Sequence, residues 1–388
     1  MRYIKIKDII KILISYIIAF PFYLFRIFPI NNKKIAVLCF GGKGYGDNPK
    51  YIIDEIINKH FEGDIVWVVR DMETEFPSNI RKVKLHSIKS IYEMATSRIW
   101  INNTRMSLYI RKRKEQYYIQ TWHGGVALKK IGKDVDPNTV SFSHYYAAQR
   151  DAKMTDLLLS NSLFCTNMYH NSFWYSGEIL ESGSPRNDIL INNSSDSKNI
   201  KDKLGIHKDT KVILYAPTFR DNGRIDVFDL DCKQIIFNFE KKYKCKFCII
   251  IRLHPNMSST ELNIKFSKSI LNGTSYSDMY ELLNISDVLI TDYSSTMFEF
   301  GMLLKPVYLY VKDLDDYTKS RGLYLDIEKL PYVVCKDKES LYNKIQEFNL
   351  EDYQEHVHKF NMNLGFCENG TASKTVVERI ESIIQSYK

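Results

Sequence analysis

The stretch that most restricts the fold is residues 287–299. The uncharged run 288–291 ends in Asp292-Tyr293-Ser294-Ser295, and a helix-compatible pattern (Met297, Phe298, Phe300, Met302, Leu303) runs on to Pro306. That order predicts a buried strand, a hydroxyl-rich turn and a helix opening at the turn. Ser294 or Ser295 is placed to cap the helix. First-turn amides and the helix dipole suit such a turn to an anion, a phosphate above all. The competing reading is an ordinary strand-to-helix junction with a serine cap, and the rest of the chain decides between them.

The same grammar recurs on both sides of a polar stretch. Residues 34–40, 65–69, 99–102, 117–121 and 157–160 read as strands, with 88–96 helical between two of them. A second series follows at 212–216, 247–251, 288–291 and 307–311, with a helix around 233–243. Alternation of this kind predicts parallel α/β sheets. Residues 192–202, rich in Asn, Ser, Asp and Lys, are the most linker-like. A chain of 388 residues is expected to form two domains of ordinary size. The boundaries expected are a segment over 1–30, a first α/β domain over 31–191 and a second over 192–388, the two domains facing a cleft.

The net charge of +8 is unevenly placed: up to Lys34 there are seven basic residues against Asp8 alone, and a second basic stretch runs from Arg105 to Lys114. Such clusters point to an anionic surface or substrate. The uncharged run 12–25 is fourteen residues long, short of the roughly 20 that span a bilayer. Its aromatics, flanking lysines and Pro21 suit a segment lying in the interface of an anionic membrane. The 105–114 stretch, next to Tyr117 and Tyr118, also fits a phosphate backbone, but no nucleic-acid-binding motif accompanies it, so no nucleic-acid partner is expected. Seven scattered cysteines argue for reduced thiols, and the lone Cys245-x-x-Cys248 leads into a strand rather than a zinc or redox site.

Polar residues gather just past the predicted strands. The loop Gly41-Gly42-Lys43-Gly44-Tyr45-Gly46-Asp47-Asn48-Pro49 has neither dinucleotide-fingerprint nor P-loop spacing. It reads equally as close approach of backbone to a substrate or as a plain flexible turn. Strand 117–121 ends in Trp122-His123-Gly124-Gly125, with Lys129-Lys130 beyond. A histidine past a strand, with open backbone around it, is the natural base near neutral pH; a structural turn histidine is the alternative. In the second series, Arg220, then Arg252 with His254, then Ser294, Ser295 and Thr296 follow three strand ends. Parallel strands bring these to one sheet edge, where guanidinium forks and helix-end amides suit a phosphate or pyrophosphate. No Asp/Glu/His set has metal-ligand spacing, so metal-independent chemistry is expected.

Taken together, Gln120-Thr121-Trp122-His123-Gly124, Lys129 with Gly132 and Asp134, Gly183-Ser184-Pro185-Arg186-Asn187-Asp188, Tyr215-Ala216-Pro217-Thr218-Phe219-Arg220, Arg252-Leu253-His254-Pro255, 287–295 and Arg321-Gly322-Leu323-Tyr324 carry a resemblance. The chain resembles the CDP-glycerol:poly(glycerophosphate) glycerophosphotransferase family of teichoic-acid synthesis. The resemblance implies two Rossmann-like domains of the glycosyltransferase-B type, peripheral on the cytoplasmic face of the cell membrane. It implies transfer of glycerol phosphate from CDP-glycerol to a lipid-linked saccharide or polyol-phosphate acceptor, or a growing teichoic-acid or capsule-type polymer, with release of CMP and no cofactor. By motif, His123 is the implied general base and His254 a second catalytic group. Arg220, Arg252, His254, Ser294, Ser295, Thr296 and Arg321 are implied to hold the donor, and Gly124, Lys129, Lys130, Arg186 and Asp188 the acceptor.

The family often reads Trp-His-Gly-Thr-Pro-Leu-Lys, whereas Gly125-Val126-Ala127-Leu128-Lys129 follows Gly124 here. A hydroxyl and a proline beside the implied base are absent, which leaves CDP-ribitol, or a nucleotide-sugar donor on the same fold, as alternatives. A basic nucleic-acid-binding protein and a non-catalytic membrane protein are readings of another class, and homo-oligomerisation is left open.

Overall fold

A computed structural model describes residues 5–192, 197–220, 223–254, 264–320 and 322–387. Two all-parallel sheets organise the chain. The first contains β1 (Asn31–Leu38), β2 (Asp64–Val69), β3 (Ile80–Lys84), β4 (Ser97–Asn102), β5 (Tyr117–Gln120), β6 (Leu157–Ser160) and β7 (Glu178–Glu181) in the order β3-β2-β1-β4-β5-β6-β7. The second contains β8 (Lys211–Tyr215), β9 (Phe247–Ile251), β10 (Ile270–Asn272), β11 (Val288–Thr291), β12 (Val307–Tyr310) and β13 (Val333–Cys335) in the order β10-β9-β8-β11-β12-β13. In local order both run 3-2-1-4-5-6, the first sheet adding a seventh strand at its edge; this is the doubly wound arrangement, so each has a switch point where the strand order reverses.

Helices cover both faces, which is why interior strands read as unbroken apolar runs. In the first sheet Ile35, Val37, Trp67, Ile99 and Ile101 share a core with Ile52, Ile53 and Ile56 of the helix Asp47–Asn58. In the second, Ile213, Ile249, Ile290 and Tyr308 pack with Ile235 and Phe239 of the helix Cys232–Tyr243. Short polar side chains start the helices as the sequence grammar requires. Ser87, Ser162 and Asp231 accept the backbone N–H groups of Ser90, Cys165 and Gln234.

Every strand absent from the sequence reading is an edge strand: β3, β7, β10 and β13. Edge strands are wetted on one side, so they are short or charged and lack the apolar run that betrays an interior strand. Ile80-Arg81-Lys82-Val83-Lys84 and Glu178-Ile179-Leu180-Glu181 show it directly.

The chain divides into two compact units that are not contiguous in sequence. One comprises the residues up to Gly124, Ile131–Asp188 and Phe366–Lys388; the other comprises Gly125–Lys130 and Ile189–Gly365. The terminal helix Ala372–Gln385 places Val376, Val377 and Ile380 in the core of the first sheet. Thr371 supplies it no side-chain cap. Asp188 does so instead, accepting the N–H groups of Ala372 and Ser373 at 3.0 and 2.7 Å. The hexapeptide Gly125–Lys130 pairs with the second unit through Lys130 N–H to Gly322 O (2.9 Å) and Tyr324 N–H to Leu128 O (2.8 Å).

At the N-terminus, the helices Ile6–Ile18 and Phe20–Leu24 and the turn Phe25–Ile27 form an apolar segment. By length and composition, its 22 residues, with a mean hydropathy of 1.8 over their best 18, suffice to cross a membrane, where the sequence count of uncharged residues alone fell short. Ala19 and Phe22 are nonetheless buried in the first unit's core, and Tyr16 meets Tyr146 hydroxyl to hydroxyl at 2.9 Å.

Candidate active site

The first sheet reverses its strand order between β1 and β4, and its polar side chains gather past the carboxyl ends there. His123, just past β5, brings Nδ1 to 2.6 Å from the carbonyl oxygen of Asn103, just past β4. A carbonyl only accepts, so Nδ1 carries the proton and Nε2 the lone pair. The ring packs against Trp122 (centroids 4.4 Å) and edge-on to Phe40 (5.7 Å). Burial lowers the imidazole pKa below its ordinary 6.5; the Asn103 carbonyl and Asp47 oppose that shift, and Arg186 and Arg105 add to it. His123 is therefore neutral at pH 7, the form a base requires.

Its position depends on a constrained turn. Trp122 has φ 53°, a left-handed conformation uncommon for a residue with a Cβ. Gln120 Oε1 accepts the Trp122 N–H at 2.9 Å, and Asn48 Nδ2 donates to the carbonyls of Thr121 (3.3 Å) and Trp122 (3.1 Å). Asn48 comes from the glycine-rich loop after β1, and so does Asp47, which pairs with Arg186 at 2.7 Å. The Arg186 N–H also donates to Asn48 Oδ1 (3.1 Å). The loop thus braces the His123 turn, a job that its sequence did not reveal. Arg186 and Asp188 are 1% and 9% exposed and spend their bonds on this frame and on the terminal helix. The Gly124 carbonyl accepts the Tyr169 hydroxyl at 3.3 Å.

The second sheet reverses between β8 and β11. Past β11, Asp292 is 2% exposed and accepts Thr218 N–H, the Thr218 hydroxyl and Tyr293 N–H at 2.7–2.9 Å. Its second oxygen pairs with Arg220 at 2.9 Å, and Arg220 also forks onto Asp313 (2.7 and 3.1 Å). Burial alone would lower the Arg220 pKa; its bonds to Asp313 and Asp292 hold it above the ordinary value. Arg220 is thereby committed to protein carboxylates. At the turn itself, Ser294 Oγ and Thr296 Oγ1 lie 2.9 Å apart, and Ser294 accepts Thr296 N–H, whereas Ser295 makes no cap bond.

Past β9, Arg252 donates through Nη1 to the carbonyls of Gly273 (3.0 Å) and Tyr276 (2.6 Å). It pairs with no carboxylate among the described residues, so Nε and Nη2 remain as donors. The exposed ring of His254 stacks near Phe219 at 5.7 Å. Lys129 holds Nζ 5.3 Å from the Tyr317 ring centroid, and Tyr317 stacks on Tyr293 at 3.6 Å. Arg321 lies outside the described residues.

Within the basic stretch 105–114, residues 111–113 do not form the open anion-binding surface that its composition suggested. Arg111 and Arg113 donate to the carbonyls of Leu108, Ile110, Phe28 and Arg26, and Lys112 pairs with Asp156 at 2.6 Å. Runs of charge report composition, whereas unsatisfied carbonyls nearby decide where the cations go. Asn103 was not singled out in the sequence, and Asp47, Asn48 and Gln120 were named only inside longer stretches, because their roles arise only where three loops meet.

Comparison with known proteins gives the family. The family described as CDP-glycerol:poly(glycerophosphate) glycerophosphotransferase matches residues 20–382. The chain is 31% identical to the teichoic acid poly(glycerol phosphate) polymerase of Bacillus spizizenii over 95% of its own length and 99% of that protein. It is 32% identical to the teichoic acid glycerol-phosphate transferase of Staphylococcus aureus, over 97% and 99%. It spans about half the length of the Staphylococcus epidermidis poly(glycerol phosphate) polymerase, to which it is 32% identical (92% of this chain, 51% of that one). The solved wall teichoic acid polymerase TagF superposes with a TM-score of 0.83 at 28% identity, covering 99% of this chain and all of that one. Matched over nearly its whole length, the chain belongs to the CDP-glycerol:poly(glycerophosphate) glycerophosphotransferase family.

Proposed function

We propose that the protein transfers glycerol phosphate from CDP-glycerol to a hydroxyl of a lipid-linked saccharide or polyol-phosphate acceptor and releases CMP. The observation that carries this reading is His123, with Nδ1–H fixed on the Asn103 carbonyl and a neutral Nε2 at the carboxyl edge of the first sheet. The acceptor oxygen attacks the phosphorus bearing glycerol, its proton passes to Nε2, and the bond from that phosphorus to the CMP oxygen breaks. Arg252, His254 and the hydroxyls of Ser294, Ser295 and Thr296 hold the diphosphate and the charge that develops on CMP; Arg321 joins them by motif. Lys129, Lys130 and the Gly124 backbone meet the acceptor. Arg220, Arg186 and Asp188 hold the frame. The two α/β units are read as a glycosyltransferase-B type enzyme.

Incubation with CDP-glycerol or CDP-ribitol and a lipid-linked acceptor, followed by mass analysis, tests the reaction. A phosphodiester-linked glycerol with CMP release supports it, and sugar transfer or exclusive use of CDP-ribitol overturns it. Glycerol is favoured because the glycerol-phosphate enzymes cited above are 31–32% identical, whereas the ribitol-phosphate polymerase of Bacillus spizizenii is 28% identical. The pH profile is a second check. A base of pKa below 6.5 stays unprotonated through neutrality, so kcat/KM is expected to fall only on acidification, with its midpoint below 6.5.

Attachment to the cytoplasmic face of the membrane is read from the exposed apolar face of the first helix, where Ile6, Leu13 and Ile17 are 77%, 59% and 74% exposed, with Lys5, Lys7 and Lys11 alongside. Leu13→Glu with Ile17→Glu is expected to weaken cosedimentation with phosphatidylglycerol vesicles by at least about a hundredfold, from about 1.5–3 kcal/mol per side chain. Unchanged cosedimentation would remove this segment as the anchor.

A further inference from the structure

A pocket of about 60 Å³ opens at the β1/β4 switch point, lined among others by Gly41, Arg70, His86, Thr104, Arg105 and Ser107, and the Arg105 charge is felt at His123. One water needs roughly 10–15 Å³ on this measure, so the space admits a tetrahedral anion rather than a nucleoside. Two of its walls are continuous with the His123 site. Thr104 and Arg105 follow Asn103, whose carbonyl holds Nδ1, and Gly41 follows Phe40, whose ring packs on the imidazole.

Its charge is one-sided, because no aspartate or glutamate lines it. Elsewhere Arg81, Arg186, Arg220, Arg224 and Arg379 each hold a carboxylate at 2.6–2.8 Å. Among the described residues Arg70 and Arg105 pair with none. Arg70 donates Nε to the Gly41 carbonyl at 2.7 Å, and its outer nitrogens have no acceptor among the described residues. The Gly41-Gly42 turn makes room for it: a Cβ would come within 3.3 Å of Arg70 Nη2 at Gly41 and 3.1 Å of Arg70 N at Gly42. Arg105 donates Nη1 to His144 Nε2 at 2.9 Å and lies over Trp122 and Phe173 at 5.7 and 5.8 Å. Asp151 is the acid nearest in effect, but its oxygens accept from Met106 N–H, the Tyr118 hydroxyl and the Gln120 amide. For Arg105, which is partly buried, a guanidinium without a counterion is costly unless an anion completes it.

We propose that Arg70 and Arg105 bind the phosphate group of the acceptor that lies next to its reacting hydroxyl, and so hold that hydroxyl at His123. The identity of the acceptor rests on the transferase reading above; the anion site rests on the geometry alone. A polyol-phosphate chain carries a phosphodiester a few bonds from its terminal hydroxyl, so one end of the acceptor meets the base while the other meets the guanidinium pair.

The test uses the full-length chain with CMP at saturation, titrated by calorimetry with sn-glycerol 3-phosphate and with glycerol. The phosphate compound is expected to bind and glycerol not to. Arg70→Gln and Arg105→Gln are each expected to raise its Kd and the acceptor KM by about tenfold or more, as loss of a charged hydrogen bond implies. The KM for CDP-glycerol should move less than about twofold. Arg105 packs on Trp122, so Arg70, whose side chain is exposed, supplies the variant free of packing effects. Equal binding of glycerol and glycerol 3-phosphate, or an unchanged Kd in Arg70→Gln, overturns the proposal. So does a loss confined to binding of phosphatidylglycerol vesicles, which would assign the pair to a lipid headgroup. If the wild type binds glycerol 3-phosphate through both arginines yet releases no CMP from CDP-glycerol, the transferase reading fails and the pocket stands. Turnover with acceptor KM unchanged in both variants retires the pocket and keeps the transferase.

Discussion

Replacing His123 by alanine is expected to lower kcat by about 10²–10⁴-fold, the range for loss of a general base. The KM for CDP-glycerol and the melting temperature should stay near their wild-type values. The fold survives because, among the described residues, the side chain makes one hydrogen bond, to the Asn103 carbonyl. The turn itself is held by Gln120 and Asn48, which the substitution leaves in place. Single-turnover release of CMP separates chemistry from binding, and calorimetry with CDP-glycerol verifies the donor site. The acid limb of the pH profile should vanish along with the imidazole. A variant that keeps more than about a tenth of the wild-type rate removes His123 as the base. Loss of rate together with loss of melting cooperativity would mark it as structural.

Arg220→Met is expected to have the largest effect on stability. The guanidinium is 5% exposed and neutralises two carboxylates, Asp292 and Asp313, that are themselves 2% and 8% exposed. Methionine fills much of the volume but leaves both acids buried without a cation, which costs about 3–5 kcal/mol. For a unit of this size that corresponds to a fall of roughly 6–20 °C in Tm. The pH dependence carries a sign. Burial opposes the charged form of Asp313, but Arg220 outweighs it and holds the carboxyl below its ordinary 3.8. In the wild type this stabilisation is present above the unfolded value of 3.8 and is lost as pH falls through the lower folded value. Without the arginine, burial pushes the Asp313 carboxyl up, so the deficit should shrink on acidification as it protonates. Adding Asp313→Asn should restore part of the stability. A variant melting within about 1 °C of wild type would show that Arg220 is free for the donor after all.

The two kinds of arginine in this chain show what a sequence conveys. Arg220 and Arg252 both follow a strand and both read as anion binders. One is consumed by Asp313, 93 residues away, and the other keeps donors to spare. Nothing local distinguishes them, because the partner that decides lies on a different loop. The contiguous run 111–114 invited an electrostatic reading, yet Arg111, Lys112 and Arg113 are spent on nearby carbonyls and Asp156. Arg70 stands alone in sequence, and its surroundings leave it open.

By itself the sequence determined the interior of both sheets. Strands covered on both faces must be apolar throughout, and runs such as Val288-Leu289-Ile290 and Phe247-Cys248-Ile249-Ile250-Ile251 admit little else. It also determined where chemistry would collect, since polar residues past a parallel strand share one sheet edge. The positions of His123 and of the turn at Ser294, each just past a parallel strand, were legible for that reason. The tertiary structure alone decided the edge strands, whose wetted faces carry no apolar signature, and the return of the helix Ala372–Gln385 to the first unit. That return depends on Asp188 capping a helix 184 residues further along, a hydrogen bond between positions that no periodicity connects. The same holds at the site: Asn48, Gln120 and Asn103 set the Trp122–His123 turn only because three separate strand ends converge. Local pattern reports which surface is buried; which polar groups meet on that surface is settled by the fold.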